Sequence, residues 1–369
     1  MKIVQVLPDL EGGGVEKGTL EIAHALVQAG HESLVISAGG RMVAQLTQEG
    51  SQHINWDLGK KSLFTFRHIW AVRQWLRQER PDILHLRSRM PAWIMWLAWR
   101  GLPENDRPHL VTTVHGLYSV SKYSEIMCKG ERIIAVSETV KNYIQNNYPA
   151  TELSRIELIY RGVEPNEFPY GYQASDAWIK QWQQDYPQLK NKKILTLPGR
   201  ITRLKGHHDF IDLIKKLKHA GEPIHGLIVG GEDPKRMKYA TELRNRIESE
   251  GLQDSITFTG NRNDIRDIFS ISNIVLSLST KPESFGRTVL ETLSLGVPVV
   301  GYDYGGVGEI LAKLYPEGKV AMGQADLLAK AVFACMNKKP EANSQHHFTK
   351  NDMLSNTINL YSKLNSNTL

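Results

Sequence analysis

A chain of 369 residues, 41% hydrophobic and 23% charged, has the composition of a soluble globular protein and the length of two ordinary domains. Its 45 Lys and Arg against 39 Asp and Glu leave a formal charge of +6 and a pI near 9.1, which suits anionic ligands but is too small a surplus for a dedicated nucleic-acid binder. Cys128 and Cys335 match no metal or redox spacing and are expected as reduced thiols of a cytoplasmic protein; Met1-Lys2 runs straight into a strand with no signal-peptide pattern, and no window reaches the length of a membrane span.

The chain opens as a βαβ unit: a strand over 2–7, a loop over 8–14 ending in Gly12, Gly13 and Gly14, a helix over 15–30 and a strand over 31–37. The loop lacks the G-x-G-x-x-G spacing, which weakens a nicotinamide or flavin reading. Its glycines either let a ligand approach the backbone or make a tight turn. Strands over 81–86, 111–114, 132–136 and 156–159 end at Arg87-Ser88-Arg89, His115-Gly116, Ser137-Glu138 and Arg161-Gly162. Ligands of open α/β sheets sit beyond the carboxyl ends of strands. That rule singles out Arg87, Arg89, His115, Ser137 and Arg161, and the two arginines of the first loop suit phosphate or carboxylate.

Between these strands the chain is basic and aromatic. Lys60, Lys61, Arg67, Arg73, Arg77 and Arg80 flank Phe64, Phe66, Trp70 and Trp75. This is either a membrane-surface element, with an anionic bilayer as partner, or a plain amphipathic helix. In the segment 93–100, Trp93, Trp96 and Leu97 at helical spacing read as core.

Residues 164–190 are polar and proline-bearing and are expected to connect the domains, with a helix over 175–185. A second α/β series follows, with strands over 193–197, 224–229, 255–259 and 274–278. The first ends at Gly199-Arg200, and Lys205-Gly206 lies five residues on, so the two cations are placed to converge on one diphosphate. After the fourth strand, Lys281-Pro282-Glu283-Ser284 forms a loop and Gly286 or Arg287 opens a short helix closed by Gly296. Its tip offers unpaired N–H groups of Gly286, Arg287 and Thr288 to an anion. Glu291 lies about 6 Å further along the axis, roughly the reach from a diphosphate to the hydroxyls of a nucleotide's ribose, and Glu283 lies beside whatever the diphosphate carries. Two helical stretches, 324–336 and 348–364, end the chain, the last expected to pack across both domains. His346-His347 has no carboxylate or thiol companion and reads as surface.

These features resemble the GT-B glycosyltransferases, and more narrowly the retaining GT4 type, also called glycosyltransferase group 1. The family's E-x7-E signature corresponds to Glu283 and Glu291 and its Arg/Lys pair to Arg200 and Lys205. The glycine loop, His115 and Val136-Ser137-Glu138 match further segments in order. Arg87-Ser-Arg-Met-Pro-Ala-Trp93 and Phe285-Gly-Arg-Thr288 resemble a proteobacterial branch linked to lipopolysaccharide biosynthesis.

The resemblance implies an α/β chain of two Rossmann-like domains facing across a cleft. An acceptor domain over 1–165 is followed by a donor domain over 190–345 and a crossover helix over 346–369. It implies that Arg200 and Lys205 neutralise the leaving diphosphate of a UDP-, GDP- or ADP-sugar and that Glu291 accepts bonds from the ribose. Glu283 would hold sugar hydroxyls, with Ser284 and Phe285 presenting backbone to the same sugar. His115 would reach the donor sugar, Gly13 and Gly14 would face the diphosphate, and Glu232 and Arg262 would border the base. No acidic metal-binding pair stands at a strand end, so metal-independent transfer with no separate cofactor is expected. The acceptor is expected to be lipid-linked or of lipopolysaccharide type, at the inner face of a membrane. A sugar-nucleotide epimerase of the same fold and a non-catalytic nucleotide-sugar-binding protein remain as alternatives.

Overall fold

The computed structural model describes residues 1–232, 237–336, 338–341 and 348–366; His346 and His347 lie outside them. The chain divides into two compact units. The first comprises Met1–Tyr160 and Asn351–Leu369. Its seven strands are β1 (Lys2–Val6), β2 (Glu32–Ser37), β3 (Gln52–Asn55), β4 (Ile83–Leu86), β5 (His109–Val114), β6 (Arg132–Ala135) and β7 (Ile156–Leu158). They form one parallel sheet in the order β3-β2-β1-β4-β5-β6-β7.

The apolar runs of these strands are continuous because both faces are covered, as a parallel sheet requires. Val4, Val6, Leu84, Leu86 and Leu110 pack on one side with the helix Arg89–Arg100, and Ile3, Ile83, Val111 and Ile134 pack on the other. The helix Arg89–Arg100 buries Met90, Ala92, Ile94, Met95 and Ala98, whereas Trp93, Trp96 and Leu97, expected as core, are only half-buried, the two tryptophans against the edge of the first cluster. The last helix, Lys350–Ser366, covers the second side with Met353, Leu360, Tyr361 and Leu364. Fully buried Tyr361 bonds His85 Nδ1 at 2.6 Å, and His85 Nε2 bonds Thr113 Oγ1 at 2.6 Å. Burial holds the imidazole well below its usual range. The basic aromatic stretch forms a 3-10 turn, Leu63–Arg67, and a helix, His68–Glu79, that buries Val72 and Leu76.

The second unit is Arg161–Lys350. Its strands are β8 (Lys193–Pro198), β9 (Ile224–Val229), β10 (Ile256–Gly260), β11 (Ile274–Ser277), β12 (Val299–Tyr302) and β13 (Lys319–Val320), parallel in the order β10-β9-β8-β11-β12-β13.

Residues 164–190 are not a free connection. The helix Asp176–Asp185 places Trp182 against Ile194, Leu227, Val229 and Ile268, with Trp178 stacked on it at 5.0 Å and Tyr186 tilted against it at 4.3 Å. Burial of that aromatic triad joins the segment to the second unit, which begins at Arg161, four residues from the expected end of the first domain at 165. Edge strands β3 and β13 escape the sequence reading because β3, Gln-His-Ile-Asn, has a single apolar residue and β13 has only two residues. Among the described residues, no helix is long and apolar enough to cross a membrane.

Candidate active site

In each sheet the strand order reverses beside the first strand, between β1 and β4 and between β8 and β11. Crevices at such switch points are where open α/β sheets hold ligands. In the second unit, the β8 and β11 loops meet there. Gly206 has φ +70°, and a Cβ on it would lie 2.0 Å from the Leu278 carbonyl oxygen. Thr280 N–H donates to the Leu204 carbonyl at 2.9 Å. Gly199 has φ +130°, and a Cβ there would stand 3.2 Å from Lys205 Cε, so its missing side chain is the bed for the lysine stem. The Gly-Arg and Lys-Gly dipeptides are therefore packing requirements as well as charge carriers.

Lys205 Nζ donates to Glu283 Oε1 at 2.6 Å, and the Ser279 hydroxyl donates to the same oxygen. Lys205 and Glu283 are partly solvent-exposed. An ion pair so exposed is worth only about 0–1 kcal/mol, so a diphosphate can replace the carboxylate as the lysine's partner at small cost. Arg200 is exposed, and its side chain makes no salt bridge or hydrogen bond among the described residues.

The helix Arg287–Ser294 starts after Gly286, whose φ of +98° turns the chain into it. Its side facing Val289, Leu290 and Leu293 is buried. On the other side Arg287 Nε donates to Glu291 Oε1 at 2.7 Å, the expected contact of residues four apart. The loop before the helix is clamped by a glycine pair the sequence reading passed over. Gly306 N–H donates to the Glu283 carbonyl at 2.8 Å, and a Cβ on Gly306 would lie 2.3 Å from the Phe285 carbonyl oxygen. Its signal is the pair Gly305-Gly306, with two residues between it and the end of β12. Phe285 is buried edge-on to Phe348 at 6.0 Å, and its backbone packs on Gly306, while Ser284 beside it is half-buried.

Glu232 follows β9, where Ile201 N–H donates to the Gly231 carbonyl at 3.1 Å, and its carboxylate pairs with Arg244. Arg262 follows β10. It pairs with Asp264 at 2.6 and 2.9 Å and lies over the Trp182 ring at 5.6 Å. The arginine and Trp178 Nε1–H hold the Asp264 carboxyl below its usual range against burial. Arg262 is thus part of the aromatic triad's support, away from the β8–β11 loops in sheet order.

In the first unit, Gly13 is the N-cap of the helix Gly14–Gln28 and lies exposed beyond β1, with the Glu16 carboxylate folded against it. His115 follows β5, half-buried, its backbone N–H donating to Tyr118 Oη at 3.3 Å. Arg87 and Arg89 do not act as a pair. Arg87 is buried and donates to Gln5 Oε1 at 3.0 Å, so it belongs to the interior rather than to an exposed anion contact. Arg89 lies over the rings of Tyr118 and Tyr123 at 4.5 and 5.4 Å and donates to Ser124 Oγ at 3.2 Å. Ser137 is buried and caps the helix Glu138–Asn147 by accepting from Val140 N–H at 3.1 Å, a structural role in place of a ligand contact. Arg161 opens the second unit.

Residues 12–167 match the profile of Glycosyltransferase Family 4, and residues 179–353 that of Glycosyl transferases group 1. A crystal structure of a glycosyltransferase from Rickettsia africae ESF-5 superposes with a TM-score of 0.86 at 30% identity, over 98% of both chains. The chain belongs to the group 1, family 4 glycosyltransferases. The two parallel-sheet Rossmann-like units are those of the GT-B fold. Anabaena HepE, solved in complex with UDP and glucose, superposes with a TM-score of 0.81 at 20% identity over 98% of this chain and 100% of its own. D-inositol 3-phosphate glycosyltransferase of Gordonia bronchialis is 26% identical over 63% of this chain, a match that spans 53% of that relative's length. Within this glycosyltransferase, the loops after β8 and β11 bring Lys205 onto Glu283, and the helix that follows the second loop carries Glu291.

Proposed function

We propose that this glycosyltransferase moves a hexosyl group, with retention of configuration, from a nucleotide-diphosphate sugar to a lipid-linked or lipopolysaccharide-type acceptor, without a metal ion. The observation that carries the reading is the Lys205–Glu283 contact beside the tip of the helix that carries Glu291. Breaking a sugar–phosphate bond builds negative charge on the diphosphate and positive charge on the sugar ring. Lys205, Arg200 and the N–H groups of Gly286, Arg287 and Thr288 meet the first charge, and preoriented donors of this kind are the larger part of catalysis in a site shielded from water. Displacement by the diphosphate frees Glu283, already held by Ser279, for sugar hydroxyls. Glu291 takes the ribose, and Ser284 and Phe285 offer backbone to the sugar.

In this reading there is no covalent enzyme intermediate: the leaving phosphate oxygen takes the acceptor proton as the acceptor attacks from the same face. His115, Gly13 and Gly14 of the first unit carry their family roles toward the donor, and Glu232, rather than Arg262, is the better placed of the two toward a nucleotide. The segments Arg87–Trp93 and Phe285–Thr288 support the lipopolysaccharide-type acceptor, and the exposed basic stretch supports peripheral contact with an anionic membrane at the cytoplasmic face.

The test is turnover of UDP-, GDP- and ADP-sugars, beginning with UDP-glucose because HepE was solved with UDP and glucose. One sugar nucleotide should be consumed equally with and without EDTA. Lys205→Ala should lower kcat about 100-fold or more with an unchanged melting temperature. Tight binding of a sugar nucleotide with no turnover on any acceptor would favour the non-catalytic reading.

A further inference from the structure

The turn Leu63–Arg67 exposes more apolar surface than any packing need explains. Leu63 is 88% exposed, Phe64 78% and Trp70, on the following helix, 68%. Contiguous exposed apolar surface of this kind marks a binding face. Beside it lies an open groove of about 580 Å³ lined by Leu63, Phe66, Met90, Trp93, Leu97 and Tyr123, with Lys61 and Ser62 at its rim. That volume is in the range of small-molecule sites. The lining is apolar, and the surrounding charge is of one sign in excess. Lys61 is exposed at its rim and Arg67 is exposed at the end of the adjoining turn, while Lys60 is neutralised by Asp57 at 2.6 Å.

The groove also has a direction. Tyr123 at its wall is covered by the Arg89 guanidinium at 5.4 Å, Arg89 lies over Tyr118 at 4.5 Å, and Tyr118 Oη accepts from the His115 backbone N–H at 3.3 Å. Lys61 Nζ stands 6.0 Å from the Tyr123 ring centroid. A hydrocarbon chain in the groove therefore brings its polar end to two cations, and past them to the loop of His115.

We propose that this groove seats the alkyl chain of a phosphorylated membrane lipid, with its phosphate on Arg89 and Lys61 and with Leu63, Phe64 and Trp70 dipped into the bilayer from which the lipid is taken. The apolar lining excludes a free sugar, and the cations complement an anionic head group. This rests on the lipid-linked-acceptor reading, and it names the part of that acceptor the first unit binds.

The test uses dodecyl phosphate below its micelle concentration, titrated calorimetrically into the full chain, with inorganic phosphate as the control. Dodecyl phosphate should bind and inorganic phosphate should not. Leu63→Asp and Arg89→Ala should each weaken binding tenfold or more; Leu63 is so exposed that its melting temperature should not move, which separates binding from folding. Vesicles of phosphatidylcholine with phosphatidylglycerol should sediment the wild type and not Leu63→Asp/Phe64→Asp. Vesicle binding without dodecyl phosphate binding would overturn the groove and leave a bare membrane-adhesive surface. A wild-type dimer that the double substitution splits, with no lipid binding by either form, would show the face to be an interface between copies. Hydrolysis of a sugar nucleotide needs no lipid, so its presence or absence reports on the donor reading separately.

Discussion

Glu283 and Glu291 are eight residues apart in sequence and are each held by a cation, Lys205 at 2.6 Å and Arg287 at 2.7 Å. Two carboxylates near a scissile sugar bond first suggest an acid–base pair, but each here accepts from a positive partner on one oxygen. That arrangement suits a carboxylate that exchanges one set of donors for another. The magnitudes separate the two roles of Glu291. An i,i+4 pair on a helix surface contributes about 0.3–0.5 kcal/mol to stability, whereas a hydrogen bond to a charged group contributes roughly 1.5–3 kcal/mol. Glu291→Ala should therefore raise the Kd for the nucleoside diphosphate about tenfold or more while moving the melting temperature by a degree or two. Unchanged affinity with a lowered melting temperature would make the glutamate merely a helix-stabilising residue.

At the scale of elements, the site depends on how closely two strand-end loops approach, and Gly206 is where they touch. Alanine there meets two obstacles at once: a left-handed φ of +70° and the Leu278 carbonyl oxygen 2.0 Å from the new Cβ. Gly221 has a similar φ of +80° with nothing within 4 Å, so Gly221→Ala carries only the backbone strain of about 1–2 kcal/mol. Gly206→Ala should lower the urea midpoint further than Gly221→Ala and also lower kcat, because Lys205 moves with the loop; equal losses of stability and no loss of kcat would mean that the loop contact does not position the lysine. Much of this was legible in the sequence. The β8 and β11 runs, the glycines beside Arg200 and Lys205, and the helix opened at Arg287 all carry local signals. What depends on distant packing was not. Nothing near Arg87 announces that it is buried on Gln5, nothing in the Trp178, Trp182 and Tyr186 spacing says which unit they join, and Ser137 as a cap and Ser137 as a ligand look alike until Val140 N–H is found on it. The glycine clamp at Gly305-Gly306 was readable as a strand-end pair but not as the partner of the Glu283 loop.

Across the molecule, the buried histidines set how stability responds to acid. His85 in the first unit and His207 and His225 in the second are all held neutral by burial, the last two at about 4 and His85 well below its ordinary value. Lys205 and His208 add to the effect at His207, and Lys192 adds to it at His225 against the opposing Asp254. In the unfolded chain each protonates near 6.5. Their contribution is thus present above that value and is lost as pH falls from about 6.5 toward 4, with a slope of up to ~1.4 kcal/mol per pH unit for each histidine. Carboxylates lowered by ion pairs, such as Glu164 with Lys350 and Asp264 with Arg262, have the same sign but act only below about 4.5. Urea midpoints should therefore begin to fall near pH 6.5, before any carboxylate titrates. Because the chain has two units, the fall need not be a single two-state transition, and since burial also lowers His31 and His53 of the first unit, both units should lose stability across this window. His225→Gln should flatten the slope of the second unit's transition between pH 6.5 and 4 and leave the first unit's slope alone. A wild-type midpoint that stays level down to pH 5 would mean that these imidazoles titrate normally in the folded chain.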